Sequence, residues 1–181
     1  MKMDFELQPN LENDLIKIQP LTKNDFECLY EIASDPIIWE QHPNKDRYLK
    51  EKFKIFFKGA IESSGAFLVF NNKTGMPIGC SRFYEYNKEL KSVSIGYTFL
   101  AKDHWGKGFN RALKSLMINH AFNFVNSISF HIGASNIRSQ KAIEKTGAKK
   151  TGEIEMEYYG EPKRLNFIYL INKEFWAENR R

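Results

Sequence analysis

The sequence predicts an α/β chain built on a mixed, mostly antiparallel sheet of six or seven strands, flanked by about four helices. Three observations predict it. Strand-like runs at 66–70, 78–86 and 92–100 follow one another with short turns, as an antiparallel meander does. A long helical stripe then separates the run at 92–100 from another at 128–132, and strands joined through a helix pair in parallel with a right-handed crossover. Hydrophobic residues make up 42% of the chain and aromatics 14%, with 15 Phe spread along it, enough apolar surface to fill a core.

The elements follow in order. Leu15-Ile16-Lys17-Ile18 alternates and reads as a first strand, ended by Pro20. Thr22 stands three residues before Asp25, the pattern of a helix N-cap with an acidic first turn. Phe26, Leu29, Tyr30 and Ala33 continue that helix, and Asp35-Pro36 stops it. Leu49, Phe53, Phe56, Phe57 and Ala60 mark a second amphipathic helix. Between the strands of the meander lie the turn Asn71-Asn72-Lys73-Thr74-Gly75 and a second turn at 87–90. In the third strand Val93, Ile95 and Tyr97 alternate with Ser94, Gly96 and Thr98. Phe109, Leu113, Leu116, Met117, Ala121 and Phe124 form the helical stripe. A helix over 136–146 ends at Gly147, and strands at 150–158 and 165–172 close the chain around Gly160-Glu161-Pro162. No linker, repeat or low-complexity tract interrupts this order, so residues 1–181 are expected to form one domain.

Charge and cysteine content narrow the function classes. The net charge of +5 suits solubility, with a mild pull on an anionic partner such as a phosphorylated cofactor. Lys50-Glu51-Lys52 and Lys149-Lys150 read as solvated faces, so no nucleic-acid surface is expected. Cys28 and Cys80 have neither metal spacing nor a disulfide framework, which points to a reducing, cytoplasmic setting and no metal. The charged N-terminus lacks the apolar stretch of a signal peptide, and no run is long enough to span a bilayer. Composition leaves monomer and homodimer open, and the tail 173–181, with Phe175 and Trp176, is expected to pack on its own domain.

The segment Asp103-His104-Trp105-Gly106-Lys107-Gly108 lies between a strand and the start of a helix. Glycines there expose backbone N–H groups at the positive end of the helix dipole, an arrangement suited to a pyrophosphate, and Lys107 and Arg111 add charge. A tight turn without a ligand fits the same residues. Arg111 stands where a dinucleotide loop needs its third glycine, and Phe109 stands where a Walker loop needs Ser or Thr.

Strand, Trp105-Gly106-Lys107-Gly108-Phe109, long helix, strand and then 136–148 (Asn-Ile-Arg-Ser-Gln-Lys-Ala-Ile-Glu-Lys-Thr-Gly-Ala) resembles the GNAT acetyltransferase signature, in particular the branch that includes ribosomal-protein N-terminal acetyltransferases. The resemblance spans most of the chain. It implies a GNAT-like sheet with a splayed parallel pair, and acetyl-CoA as acetyl donor. The family loop is Gln/Arg-x-x-Gly-x-Gly/Ala, and its amides wrap the coenzyme A pyrophosphate. Its positions fall on Trp105, Gly108 and Asn110, so residues 105–111 are implied to bind the cofactor. Asn110 departs from Gly/Ala. A subset of the branch has Asn there, followed by a helix carrying a Lys, as Lys114 does here. The free edge at Phe99, Leu100 and Ala101 is implied to pair with the pantetheine arm, with the cofactor wedged against 128–132.

The resemblance also assigns a cofactor contact to Asn136 and makes Ser139 a candidate general acid, although both suit a plain helix start. The Tyr that many relatives carry further along this helix is missing, since Ile143 and Glu144 occupy its candidate positions. Leu100 or Ala101 N–H is the candidate to polarise the thioester carbonyl. For the base, Glu85, Glu155 and Glu157 are candidates. Ser94 replaces the Glu that often precedes Ile-Gly in the subfamily. His104 is expected to be exposed, and His131 to be packed or to face a neighbouring strand. Trp39 and His42 are candidates to border the acceptor pocket. The implied activity is transfer of acetyl to a primary amine: a ribosomal or other protein N-terminus, or a small amine. A non-catalytic acyl-CoA sensor of the same fold, and a nucleotide-binding domain of another fold, are the alternatives.

Overall fold

The computed structural model describes residues 5–179. The described residues form eight strands and five α-helices. They are β1 Leu11–Glu12, β2 Ile16–Pro20, α1 Phe26–Ala33, α2 Lys50–Glu62, β3 Ala66–Asn71, β4 Pro77–Asn87, β5 Ser92–Leu100, α3 Phe109–Ala121, β6 Ser127–Gly133, α4 Ile137–Glu144, β7 Lys149–Met156, β8 Arg164–Asn172 and α5 Lys173–Glu178. One sheet takes the order β1-β2-β3-β4-β5-β6-β8-β7. Every neighbouring pair is antiparallel except β5 and β6.

The eighth strand beyond expectation is β1, two residues that pair Leu11 with Ile18 and Glu12 with Lys17. The fifth helix is α5, six residues of the tail. Its Phe175 and Trp176 pack on the core, and Trp176 Nε1 donates to Asn119 Oδ1 at 2.8 Å. Gly147 makes that docking possible: at φ +89° it turns the chain after α4, and a Cβ there would lie 2.3 Å from the Phe175 ring. At the other end of the chain, Thr22 caps a single 3-10 turn, Lys23–Asp25, before α1 begins, and its N–H donates to Asp25 Oδ2 at 2.7 Å.

Strand alternation divides the core between the two faces of the sheet. Phe67 and Val69 point to one face with Ile16, Ile18 and the α3 residues Leu113, Met117 and Ile118. Ala66 and Leu68 point to the other, with Leu29 of α1 and Phe53, Phe56 and Phe57 of α2. Phe53 and Phe67 are fully buried, and each such side chain stabilises the fold by about 1.5–3 kcal/mol.

One feature of the sheet positions the site. β5 and β6 pair only at Ser92–Ser127, Val93–Ile128 and Ser94–Ser129. Further along, the register of β5 on β4 passes from Arg82–Gly96 to Cys80–Phe99, so Tyr97 and Thr98 oppose the single residue Ser81. Tyr97 has φ +52°, a left-handed conformation that costs a non-glycine residue about 1–3 kcal/mol. The Arg82 guanidinium stacks 3.9 Å above its ring. A bulge bends its strand. The end of β5 therefore follows β4, β6 follows β8, and a gap opens between them.

Candidate active site

The gap widens into a cleft of about 920 Å³ that runs from the N-terminus of α3 to the loop before α2. At its outer end the 3-10 turn Lys102–His104 leads into Trp105, whose indole N–H donates to Leu100 O at 2.8 Å. Gly106 (φ +72°) and Gly108 (φ +86°) then turn the chain, with Gly108 as the N-cap of α3. A Cβ on Gly106 would meet nothing within 4 Å, and one on Gly108 would meet only a Leu15 methyl at 4.0 Å. Both glycines line the cleft at a helix start with empty space where a side chain would stand, a concavity that suits an anion. Asn110 and Arg111 of α3 line it, and no Asp or Glu does among the described residues.

Alternation of the peptide groups decides which amide of β5 faces the gap. Ala101 N–H donates to Ile78 O at 2.7 Å, so it is held by the sheet and cannot polarise a thioester. Successive peptides point to opposite sides, which turns Leu100 N–H toward the cleft. Phe99 and Leu100 line the cleft, whereas Ala101 does not. The Lys107 and Phe109 side chains also lie away from it, because Lys107 is exposed and Phe109 packs into the core below α3. These two positions can reach a ligand there only through the backbone.

Across the gap α4 presents Asn136 and Ser139. Asn136 Oδ1 accepts from Ser139 N–H at 3.1 Å, so the helix cap is formed and the Asn is 8% exposed. Arg138 ties this helix to the opposite wall. Its guanidinium lies 4.1 Å from the Trp105 ring centroid and donates to Ile38 O at 3.0 Å, and its N–H donates to Gln41 Oε1 at 3.0 Å.

The inner end of the cleft is aromatic. Trp39 is 2% exposed, packs 5.1 Å from Phe99 and donates Nε1–H to Ala33 O at 2.7 Å. His42 Nδ1 accepts from Asn44 N–H at 2.9 Å, which leaves the ring hydrogen on Nε2, 3.1 Å from Arg47 Nη1. Burial, then the Arg47 charge, holds its imidazole well below the usual histidine range. Arg47 reaches across to the β7–β8 loop, where Nε donates to Glu161 Oε1 at 2.7 Å. Tyr97 and Tyr158 complete this wall with rings 5.6 Å apart.

On β6, Ile128, Phe130 and Ile132 are buried, and the intervening Ser129 and His131 face the other way. His131 lines the cleft rather than packing into the core. Its Nδ1 lies 3.0 Å from Tyr84 Oη and 3.7 Å from Glu85 Oε2. Burial holds its pKa below the usual value, while the nearby Glu85 carboxylate opposes that shift. Glu85 itself does not line the cleft. It stands at φ +51° behind His131, its side chain 55% exposed, and accepts from Ser94 Oγ at 3.0 Å. Glu155 lies on the exposed β7 edge and Glu157 just past its end, and both stay off the cleft. His104 is half-buried rather than exposed. Its ring meets Phe109 edge-on at 4.7 Å, and Nε2 lies 3.2 Å from Asn71 Nδ2.

Lys114 is the buried cation of the cleft. It projects from α3 into the point where β5 and β6 part, is 5% exposed, and donates to Thr98 Oγ1 at 2.6 Å. Burial pushes its ammonium down to about 7.

The site therefore unites Trp39, His42, Phe99, Leu100, Trp105, Gly106, Gly108, Asn110, Arg111, Asn136 and Ser139 along one cleft. Sequence reasoning missed Arg47, Tyr84 and Tyr158. His131, expected to be packed or to face a neighbouring strand, shares the register of Ser129 and turns to Tyr84 of β4. Among the described residues no group of three His, Cys, Asp or Glu is placed to hold a metal ion, and no helix is long and apolar enough to cross a membrane.

Comparison with known proteins assigns the class. Residues 16–149 match the model of the acetyltransferase (GNAT) domain. The chain belongs to the GNAT acetyltransferase family. Solved structures share its fold at low identity. A GCN5-related N-acetyltransferase from Brucella melitensis matches with TM-score 0.78 and 15% identity, over 98% of this chain and 83% of that one. Mycobacterium smegmatis RimJ, solved with CoA-disulfide, matches with TM-score 0.71 and 16% identity over 96% and 88%. Spermidine N-acetyltransferase from Vibrio cholerae, solved with CoA and spermine, matches with TM-score 0.69 and 17% identity over 91% and 99%.

Proposed function

We propose that residues 1–181 act as one acetyl-CoA-dependent N-acetyltransferase domain that moves an acetyl group to a primary amine by direct attack in a ternary complex. The observation that carries this reading is the glycine loop at the start of α3. Gly106 and Gly108 line the gap that opens past the bulge at Tyr97, with empty space where a Cβ would stand. Acetyl-CoA needs such a site: an anion cradle for the pyrophosphate at one end and a slot one chain wide for the pantetheine arm. Gly106 and Gly108 supply the cradle, with Asn110 and Arg111 beside it. The edge of β5 at Leu100 supplies an amide turned into the slot, and Asn136 faces it from α4.

Residues on the inner side then act on the acceptor. The reacting amine must lose a proton. No carboxylate lines the cleft among the described residues, but the His131 imidazole does. Its lowered pKa keeps it neutral near pH 7 and able to accept that proton. In the tautomer with hydrogen on Nδ1, that group donates to Tyr84 Oη with the Glu85 carboxylate behind it, which leaves Nε2 as the base. Glu85 is thus a positioning residue. Leu100 N–H faces the slot as a donor to the pantetheine arm, and Ser139 faces the slot from α4 as a hydroxyl donor. Trp39, Tyr97 and Tyr158 orient the acceptor. Neighbours of this fold were solved with spermine and as RimJ, so small amines and protein N-termini are both candidate acceptors. The proposed setting is the reducing cytoplasm, since Cys28 and Cys80 are both free.

Calorimetric titration with acetyl-CoA, using NAD and ATP as controls, tests the cofactor. Selective binding is expected, and its absence would remove the reading. Release of CoA thiol across a panel of amines and N-terminal peptides then separates an enzyme from a sensor, because a sensor binds and accelerates none of them.

A further inference from the structure

We propose that Lys114 is a catalytic residue of this cleft: its ammonium faces the sulfur of bound coenzyme A, stabilises the thiolate as the thioester breaks, and donates the proton that sulfur takes up. The proposal rests on the acetyl-CoA reading above and adds the group that completes its leaving-group chemistry.

Position is the first argument. A cofactor whose pyrophosphate lies on the amides of Gly106 and Gly108, and whose arm meets the edge of β5 at Leu100, runs back along β5 toward the split. Its thiol end then arrives at Thr98, one strand step beyond the bulge residue Tyr97. Lys114 stands at that point. It lies one turn into α3 from Asn110, and Nζ reaches Thr98 Oγ1 at 2.6 Å on one side and the face of Phe130, 5.9 Å to the centroid, on the other.

Charge is the second argument. A buried ammonium is normally paired with a carboxylate. Here the partners among the described residues are a neutral hydroxyl and an aromatic face. The Thr98 hydroxyl is already shared with Ser81 Oγ at 2.8 Å. The titratable group that faces Lys114 from β4 is Cys80, whose fully buried thiol is pushed up to about 12 and stays neutral. The pocket holds a cation without a countercharge, and the reaction supplies one when the C–S bond breaks. A donor that titrates at about 7 is a stronger acid than an alkyl thiol, which favours proton transfer to the departing thiolate near neutral pH.

Atoms balance as follows. The acceptor nitrogen forms a bond to the acetyl carbon, and its proton passes to His131. The C–S bond breaks with its electron pair on sulfur. Lys114 gives one proton to that sulfur and regains one from solvent after CoA leaves.

The test needs no acceptor. Free CoA is titrated across pH onto the wild-type protein, Lys114→Met and Lys114→Arg, and thiolate formation is followed by its ultraviolet absorbance against a dethio-coenzyme A blank. Bound to wild type, the thiol is expected to ionise at least about one unit below the midpoint of free CoA titrated in the same buffer, giving about tenfold more thiolate at low conversion. Lys114→Arg keeps the depression because the cation remains, and Lys114→Met loses it. A bound thiol that ionises at its solution midpoint on wild type, or equally low on Lys114→Met, would overturn the proposal while leaving acetyl-CoA binding in place. Failure of the wild type to bind CoA in calorimetry would instead remove the cofactor reading. Should both variants misfold, the wild-type midpoint alone decides.

Discussion

Arg47 and Glu161, separated by 114 positions in the chain, meet through Nε–H···Oε1 at 2.7 Å and join the loop before α2 to the β7–β8 hairpin. Both side chains are buried, at 3% and 10% exposure. Asn44 Nδ2 donates to the same carboxylate, and the Arg47 guanidinium lies 4.9 Å from the Phe56 ring centroid. The pair thus fixes the inner wall of the cleft.

Removing the carboxylate leaves a buried guanidinium without its countercharge. Glu161→Ala is therefore expected to destabilise the protein by about 3–5 kcal/mol, the usual cost of breaking one side of a buried pair. Urea unfolding at neutral pH measures it. A change under about 1 kcal/mol would mean that solvent reaches Arg47 and that the hairpin is not held to the loop.

Much of the fold was legible because it rests on local periodicity. The limits of β5 at 92 and 100, the start of α3 at Phe109 and the meander all follow from alternation and from the 3.6-residue stripe. β1 escaped because two residues carry no period. Its pairing depends on a turn in which Asn13 Oδ1 accepts from Leu15 N–H and Ile16 N–H. The glycine loop was legible as a candidate anion site because glycine, tryptophan and the helix start lie within six residues. The inner wall was not. Arg47, Tyr84, His131 and Tyr158 become neighbours only when four separate elements meet, and no local pattern encodes that. Glu85 failed as a cleft residue for a backbone reason. Strict alternation from Tyr84 would put Glu85 on the opposite face with Phe83, and the bulge at φ +51° instead brings its carboxylate to 3.7 Å from His131 Nδ1, short of the cleft lining.

Gly108 makes two separable contributions. At φ +86° it adopts a backbone conformation that strains any side chain, and it has open space above it. Gly108→Ala should cost about 1–2 kcal/mol of stability with little loss of cofactor affinity, because only the strain is added. Gly108→Trp should also abolish acetyl-CoA binding by filling the cradle. Thermal unfolding and calorimetry on both variants separate the effects. Undiminished affinity in the Trp variant would place the pyrophosphate elsewhere.

The protein should lose stability in mild acid. His42 is held well below its ordinary pKa when folded, by burial and by Arg47, so the unfolded chain takes up a proton at a pH where the folded state does not. Stability contributed this way is present above about 6.5. It falls by about 1.4 kcal/mol for each unit of pH between that value and the folded pKa. His131 adds to the effect in the same direction. Urea unfolding from pH 7.5 to 5 should show the decline, and His42→Gln should flatten it. An unchanged slope in His42→Gln would assign the acid lability to other groups.

The last prediction concerns proton removal from the amine, measured with whichever acceptor the amine and peptide panel identifies. As the base, His131 must be neutral, so kcat/KM should rise with pH through its folded pKa, on the acid side of 6.5, and level off above it. His131→Ala should remove that limb and lower kcat about 10²–10⁴-fold, the range for a lost general base, with acetyl-CoA affinity unchanged. Glu85→Gln gives the sharper test. The Glu85 carboxylate raises the His131 pKa, so neutralising it should move the ascending limb to lower pH, with a smaller loss of kcat. A merely structural Glu85 would lower activity without moving the limb. A limb that stays in place when Glu85 is neutralised, or that survives in His131→Ala, would mean that the proton leaves the amine by another route, directly to solvent through the open inner end of the cleft.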